Sequence, residues 1–302
     1  MSLYNVPKYA AILVNSNTGE VMYARQADAP RYPASITKVL TLYIAFESIA
    51  RGAARLTDPI TISRFAAGQK PSKLGLKPGS VISMKDAINV IATRSANDIA
   101  VALAEHISGS ETAFASRMTS TARRIGMRSS VFVNATGLPD SRQLTTARDI
   151  ATLSRAVVRD YPQFYKVFSQ VSVDYEGQVI GNHNHLLSTL PGVDGIKTGF
   201  TNAAGFTLAA SAAHDGVRLI AVVLGGPSRL ARDGNVTNLL DTGFEVLNRR
   251  SHGDRTTVAA NLAEPEDLSD GVLNGLVEAG SNDNTALAMT GSKDQPKPRH
   301  VW

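Results

Sequence analysis

Ser35-Ile36-Thr37-Lys38 puts a hydroxyl and an amine three positions apart at the head of a densely apolar run, Ile36 to Ala50. On a helix, that spacing brings the two side chains onto one face within contact. A serine hydroxyl is a weak nucleophile until a neighbouring base takes its proton, and a lysine becomes that base when burial or nearby positive charge lowers its pKa. Backbone N–H groups at a helix N-terminus can also stabilise an oxyanion. The pair therefore reads as nucleophile and general base for acyl transfer. The plainer readings are an N-capping serine and a surface lysine, although an almost wholly apolar helix has little exposed face on which to carry a lysine.

Two more patterns, each occurring once, follow in order: Ser95-Ala96-Asn97 and Lys197-Thr198-Gly199. The first falls in a polar break between two apolar helical segments, and alone it is a helix-to-helix turn with a capping residue. The second follows Val193 to Ile196 as a strand ending at a cleft would, and Gly199 there permits close backbone approach to a ligand. Its plain reading is a strand-end turn. Ser-x-x-Lys by itself carries little, since about one is expected by chance in a chain of this length; order and context carry the weight. His183 and His185 have His-x-His spacing, but two ligands without a third do not make a metal site, so both read as strand residues beside the site. No metal or cofactor is called for.

The elements that must position these groups are legible in outline. Tyr9–Val14 and Glu20–Ala24, joined across Asn15-Ser16-Asn17-Thr18-Gly19, predict a hairpin, and Ile36–Ala50 predicts a buried helix. From about 62 to 159 the pattern is helical, with Met84–Thr93, Asp98–Ile107, Glu111–Ile125 and Thr146–Val158 the best segments. Gly126 suits a C-cap, and Thr146 with Asp149 makes a capping-box pattern. Strand signals return at Val171–Tyr175, Val179–Gly181, Phe206–Ala213 and Val217–Leu224, and Leu239–Leu247 closes the pattern as a helix. The expected fold is mixed α/β: an antiparallel sheet flanked by helices, shared by the early and late strands, with a mostly helical subdomain inserted and the site in the cleft between them.

Residues 1–250 then form the catalytic domain. From Ser251 to Trp302 there is no Phe, Tyr or Ile, and the composition predicts a low-complexity linker or disordered tail. The chain has no cysteine, which excludes disulfides and thiol chemistry. Its net charge of +5 lacks a dense basic run and argues against nucleic acid as a partner. No apolar run of about 18 residues crosses a bilayer, so membrane attachment is not visible, and no signal peptide is visible at the N-terminus.

The three patterns in this order resemble the signature set of penicillin-binding proteins and class A β-lactamases. The words around them, Tyr32-Pro33-Ala34-Ser35, Asn134-Ala135-Thr136-Gly137-Leu138-Pro139-Asp140, Asn182-His183-Asn184-His185-Leu186-Leu187 and Gly195-Ile196-Lys197-Thr198-Gly199-Phe200-Thr201, are similar to the low-molecular-mass D-alanyl-D-alanine carboxypeptidases over roughly residues 4–247. The resemblance implies that Ser35 is acylated, Lys38 is its base and Ser95 relays a proton to the leaving D-alanine. It implies that Asn97 bonds the substrate backbone, that Lys197 holds Ser95 electrostatically and that Thr198 contacts the terminal carboxylate. Backbone N–H groups of Ser35 and Phe200 would form the oxyanion hole. Arg232 matches the family's carboxylate-binding arginine, with Arg229 the competing choice. The implied partners are peptidoglycan stem peptides and, as covalent inhibitors, β-lactams, acting in the periplasm or elsewhere outside the cytoplasm.

Three rivals remain. A D,D-endopeptidase runs the same chemistry on cross-links. A class A-like β-lactamase is disfavoured, because no glutamate lies between Glu111 and Glu176, where the deacylating one would be expected. A non-catalytic peptidoglycan-binding protein would not need a nucleophile and its base.

Overall fold

The computed structural model describes residues 8–263. Strands β1 (Ala10–Asn15) and β2 (Val21–Arg25) form the predicted hairpin, and α1 (Thr37–Ala50) follows a single 3-10 turn at Ala34–Ile36. A short hairpin of β3 (Pro59–Thr61) and β4 (Val81–Ser83), with α2 (Arg64–Ala67) between its strands, precedes α3 (Met84–Thr93), α4 (Asn97–Ser108), α5 (Glu111–Ile125) and α6 (Ala147–Asp160). Next come α7 (Pro162–Tyr165), β5 (Ser172–Tyr175), β6 (Gln178–Gly181), α8 (Leu186–Thr189), β7 (Val193–Thr201), β8 (Gly205–His214), β9 (Val217–Gly226), α9 (Arg229–Ser251) and α10 (Val258–Asn261).

The main sheet has the order β2-β1-β9-β8-β7 and is antiparallel throughout. Its central strands are buried on both faces. Along β1, Ala10, Ile12 and Val14 enter one core while Ala11 and Leu13 enter the other, and along β9 Ile220, Val222 and Leu224 alternate in the same way with Leu219, Ala221 and Val223. A strand covered on both sides reads as a continuous apolar run rather than an alternation, which is how β9 appears in the sequence. The helices α9 and α10 cover one face, through Val236, Leu239, Leu240, Val246 and Val258. On the other face lie α6 and, beyond it, α1.

Helix α1 is the hub of the helical side, packed by α3, α4, α5 and α6 and buried from Thr37 to Ser48. Its far end holds buried Glu47, whose carboxylate meets Arg124 at 2.7 Å, Arg117 at 3.0 Å and Arg51 at 3.0 Å. The pairs with Arg117 and Arg124 tie α5 to α1. The predicted caps are present: Thr146 Oγ1 accepts the Asp149 N–H at 3.1 Å, and Gly126 closes α5 at φ 100°.

Four expectations change. The helical block of about 62–159 is entered through the β3–β4 hairpin, whose second strand lies inside it, and α6 packs on β1 and β9 as well as on α1, burying the apolar stripe of Ile150, Leu153 and Val157 between them. Strands β5 and β6 pair only with each other, in a hairpin beside α3 and outside the main sheet. The closing helix begins at Arg229, ten residues before its apolar stretch, because Ser228 caps it by accepting the Ala231 N–H. The chain after Arg250 is no loose tail as far as it is described: Thr257 caps α10, Val258 is fully buried, and Arg249 and Arg250 bond Asn261 Oδ1 and Thr256 O. The remainder of the predicted tail, 264–302, lies outside the described residues.

Candidate active site

The cleft between the helical side and β7 encloses a cavity of about 410 Å³, lined by Ser35, Ser95, Asn97, His183, His185, Thr198–Thr201, Arg229 and Arg232 among others. Strand β7 is an edge of the sheet, paired on one side with β8, so its other edge is available to an extended ligand.

Ser35 is presented by the 3-10 turn, whose first residue, Ala34, holds a left-handed φ of 46°. A side chain at Gly137 would put its Cβ 1.8 Å from Ala34 O, and one at Gly199 would stand 2.7 Å from Ser35 N. Two glycines thus let the 134–138 loop and β7 close on the backbone of Ala34 and Ser35.

Lys38 is fully buried, and its Nζ meets three oxygens: Ser35 Oγ at 3.1 Å, Asn97 Oδ1 at 2.7 Å and Thr136 O at 2.6 Å. Burial, and then the charge of Lys197, push its pKa well below the usual lysine range, against a smaller opposing pull from Asp98. A neutral amine has two N–H donors and one lone pair. Asn97 and Thr136 offer only acceptors and take the two donors, so the lone pair is left for the Ser35 hydroxyl, the arrangement a general base requires.

Asn97 stands at the first turn of α4 and is engaged on both sides: Oδ1 accepts from Lys38, and Nδ2 donates to Lys70 O at 2.9 Å. Asp98, fully buried, accepts the Leu74 and Gly75 N–H groups and so fixes the loop that supplies Lys70 O. Ser95 is buried at a left-handed φ of 61°, and its Oγ has no hydrogen-bond partner among the described residues. A left-handed non-glycine residue costs of order 1–3 kcal/mol, and a buried unpaired hydroxyl adds to that cost.

The Lys197-Thr198-Gly199 pattern lies inside β7 and not at a strand end. Lys197 is fully buried, donates to Thr198 O at 3.2 Å, and has its pKa lowered to about 7 by burial and then by Arg232. Arg232 is buried against the same wall. Its Nε donates to Asp233 Oδ1 at 2.9 Å, its Nη1 reaches Thr207 O at 3.4 Å, and its Nη2 lies 2.7 Å from Asp233 Oδ1 but off the line of a hydrogen bond. Arg229, one turn earlier on α9, lines the cavity from an exposed position.

His183 and His185 also stand on the wall, outside any strand, and no trio of His, Asp or Glu able to hold a metal forms among the described residues. The His183 pKa is pushed down to about 4 by burial and then by Lys197, Arg94, His185 and Lys38. Among the described residues no carboxylate lines the cavity. Glu111 instead braces the facing loop, accepting the Ala135 N–H at 2.9 Å.

The geometry thus gathers Ser35, Ser95, Asn97, Thr198, Gly199, Phe200 and Arg232 on one cavity, with Lys38 and Lys197 buried behind it. The reading from sequence missed the Thr136 carbonyl, which as a backbone group leaves no mark in residue type. It also missed the bond from Asn97 to Lys38, which spans 59 positions.

Comparison with known proteins gives the chain's relatives. Residues 4–228 match the family model for D-alanyl-D-alanine carboxypeptidase. The chain is 33% identical over 240 residues to the D-alanyl-D-alanine carboxypeptidase DacF of Bacillus subtilis, covering 78% of this chain and 61% of that protein. It is 35% identical over 243 residues to DacA of Escherichia coli K12, covering 78% and 60%. It therefore spans about three fifths of the length of these curated relatives. Among solved structures, penicillin binding protein 5 from Haemophilus influenzae superposes with a TM-score of 0.76 at 34% identity, covering 78% of this chain and 70% of that one. Penicillin-Binding Protein D2 from Listeria monocytogenes, in its cefotaxime-bound form, superposes with a TM-score of 0.72 at 28% identity, covering 78% and 96%. The mixed α/β fold expected from the sequence is the fold of these neighbours.

Proposed function

The chain belongs to the D-alanyl-D-alanine carboxypeptidase family, and on that premise we propose that it is a serine D,D-carboxypeptidase that removes the terminal D-alanine from peptidoglycan stem peptides. The observation that carries this reading is the buried Lys38 amine, held by Asn97 and Thr136 with its third position at Ser35 Oγ. In the proposed reaction the Ser35 hydroxyl gives its proton to Lys38 as Oγ attacks the D-Ala–D-Ala carbonyl. Backbone N–H groups of Ser35 and Phe200 take the oxyanion. Ser95, with its unpaired hydroxyl, passes the proton to the departing D-alanine amine, and water then releases the shortened peptide. Thr198 and Arg232 hold the free carboxylate, with Lys197 behind them. Asn97, implied by resemblance to bond the substrate, has both ends of its amide engaged within the protein. Its first role in this proposal is to orient Lys38.

The same site would be acylated by β-lactams, as the cefotaxime-bound relative suggests. The action would lie outside the cytoplasm, on the cell wall; among the described residues no helix is long and apolar enough to cross a membrane. The catalytic unit would extend past Arg250 to include α10. Rapid penicillin turnover finds no support, since among the described residues no carboxylate lines the cavity. Incubation with benzylpenicillin followed by intact-mass and peptide mapping should show one long-lived adduct on Ser35; a label elsewhere, or none, refutes the assignment. Mass analysis of muropeptide products separates the carboxypeptidase, which removes one D-alanine, from an endopeptidase, which splits a cross-link.

A further inference from the structure

Between Asp58 and Asp86 the chain has no acidic residue but five cations, Arg64, Lys70, Lys73, Lys77 and Lys85, a charge equal to the net +5 of the whole chain. Outside this stretch positive and negative charges balance. The excess charge of the protein is therefore gathered on the β3–β4 hairpin, on α2 and on the loop that follows it.

This unit is laid on the helical side by one face. Ile60, Ile62, Ala66 and Ile82 are buried in the core that α3 and α4 share. Thr61 pairs with Val81 across the hairpin, and by strand alternation both face away from that core. Val81 is 53% exposed, Phe65 beside Ala66 is 58% exposed, and Leu56, whose carbonyl accepts the Lys85 N–H, is 39% exposed. Arg64, Lys70, Lys77 and Lys85 are exposed around them, while half-buried Lys73 donates to Ala67 O at 3.3 Å. Among the described residues none of the five forms an ion pair. The bounding acids are engaged elsewhere: Asp58 Oδ2 accepts the Arg55 N–H, and Asp86 Oδ2 accepts the Ser83 hydroxyl.

A single exposed apolar side chain needs no explanation, but an aromatic and two aliphatic ones set among unpaired cations are a surface of distinct chemistry. A soluble polyanion would answer the cations and leave Phe65 and Val81 in water. An apolar protein partner would cover those two and leave the cations unmatched. An anionic bilayer answers both, because its phosphates take the Lys and Arg heads while apolar side chains enter the headgroup boundary. We propose that this face of the β3–β4 hairpin and α2 docks the protein on an anionic lipid surface. The face adjoins the catalytic cleft, since Pro71 and Ser72 of the same stretch line the cavity and Lys70 O accepts from Asn97. Docking therefore brings the cleft close to the headgroup layer.

The test is cosedimentation of the full chain with vesicles of equimolar phosphatidylglycerol and phosphatidylcholine, and with vesicles of phosphatidylcholine alone. Binding should appear on the anionic vesicles only, and should fall about 10-fold or more as salt rises from about 50 to about 300 mM. Each cation near such a surface contributes a factor of about 5, so Lys77→Gln with Lys85→Gln should weaken partitioning about 30-fold and flatten its salt dependence. Phe65→Ser should weaken it about 10-fold at every salt concentration, through lost apolar burial. Arg249→Gln with Arg255→Gln removes the same charge on the α9–α10 side, across the main sheet, and should leave binding within about twofold. All the substituted positions on the docking face are exposed, so the variants should melt within about 2 °C of wild type and acylate with penicillin in solution at the same rate. No binding to anionic vesicles, or equal losses from the two charge pairs, overturns the docking face. Binding to a purified acidic cell-wall polymer without binding to vesicles gives the face to that polymer and overturns the lipid assignment.

Discussion

Replacing Lys38 by alanine removes the amine that stands 3.1 Å from Ser35 Oγ. If Lys38 is the base, acylation by a β-lactam should slow by about 10² to 10⁴, or roughly 3–5 kcal/mol of activation free energy. The structural effect is smaller and of mixed sign. Asn97 Oδ1 and Thr136 O each lose a donor, at about 1–3 kcal/mol apiece, while a buried amine that is costly to charge disappears. Net destabilisation should stay near 2 kcal/mol, a fall in Tm of under about 8 °C. The assay is the second-order acylation rate with a fluorescent penicillin from pH 5 to 9, alongside a thermal melt. The wild-type rate should rise with pH on its acid limb, because only the neutral amine accepts the proton and its pKa lies well below the usual lysine value. The variant should lose both the rate and that slope. An acylation rate within about threefold of wild type, or an acid limb that survives the substitution, would show that another group takes the proton.

Arg232→Ala should lower kcat/KM for a free-acid D-Ala–D-Ala peptide about 10-fold or more while leaving the amidated peptide nearly unaffected; equal losses on both would make its role structural and turn attention to Arg229. Lys197 has a folded pKa near 7, below the unfolded value, so native stability should rise as pH climbs from about 7 toward 10, the range over which the unfolded chain still binds the proton and the folded one does not. Lys197→Met should accordingly raise Tm at pH 7 by at least about 2–4 °C while abolishing activity, and a lowered Tm would contradict the assigned burial cost. Truncation after Arg250 removes α10, exposes the Val258 seat and frees the Arg250 bond to Thr256, for a loss of about 2–3 kcal/mol visible as a drop of several degrees in a melt; an unchanged Tm would mean that α10 contributes nothing.

The parts of the site that were legible in the sequence are those fixed by local spacing. Ser35 and Lys38 meet because a helical turn brings them together, and the caps at Thr146 and Gly126 follow from the same local rules. What spacing could not give are contacts across the fold. The acceptors that leave the Lys38 lone pair free come from α4 and from a loop carbonyl about a hundred residues away. Gly199 read as a strand end, yet it continues β7, because its missing side chain makes room for Ser35 N rather than for a turn. Strand character was plain at β5 and β6, but nothing local tells which sheet a hairpin joins. The docking of α10 was hidden because composition averages a window, whereas one capped turn with a single buried valine suffices to anchor it.

The pairing of β1 with β9 joins residue 12 to residue 222 across the middle of the sheet. Closing so long a loop costs chain entropy before any contact repays it, and such non-local pairing slows folding. During synthesis the N-terminal hairpin has no central partner until residues near 226 have left the ribosome. Until then β1 exposes an unpaired edge and two apolar faces, the kind of surface that chaperones bind and that aggregates when left alone.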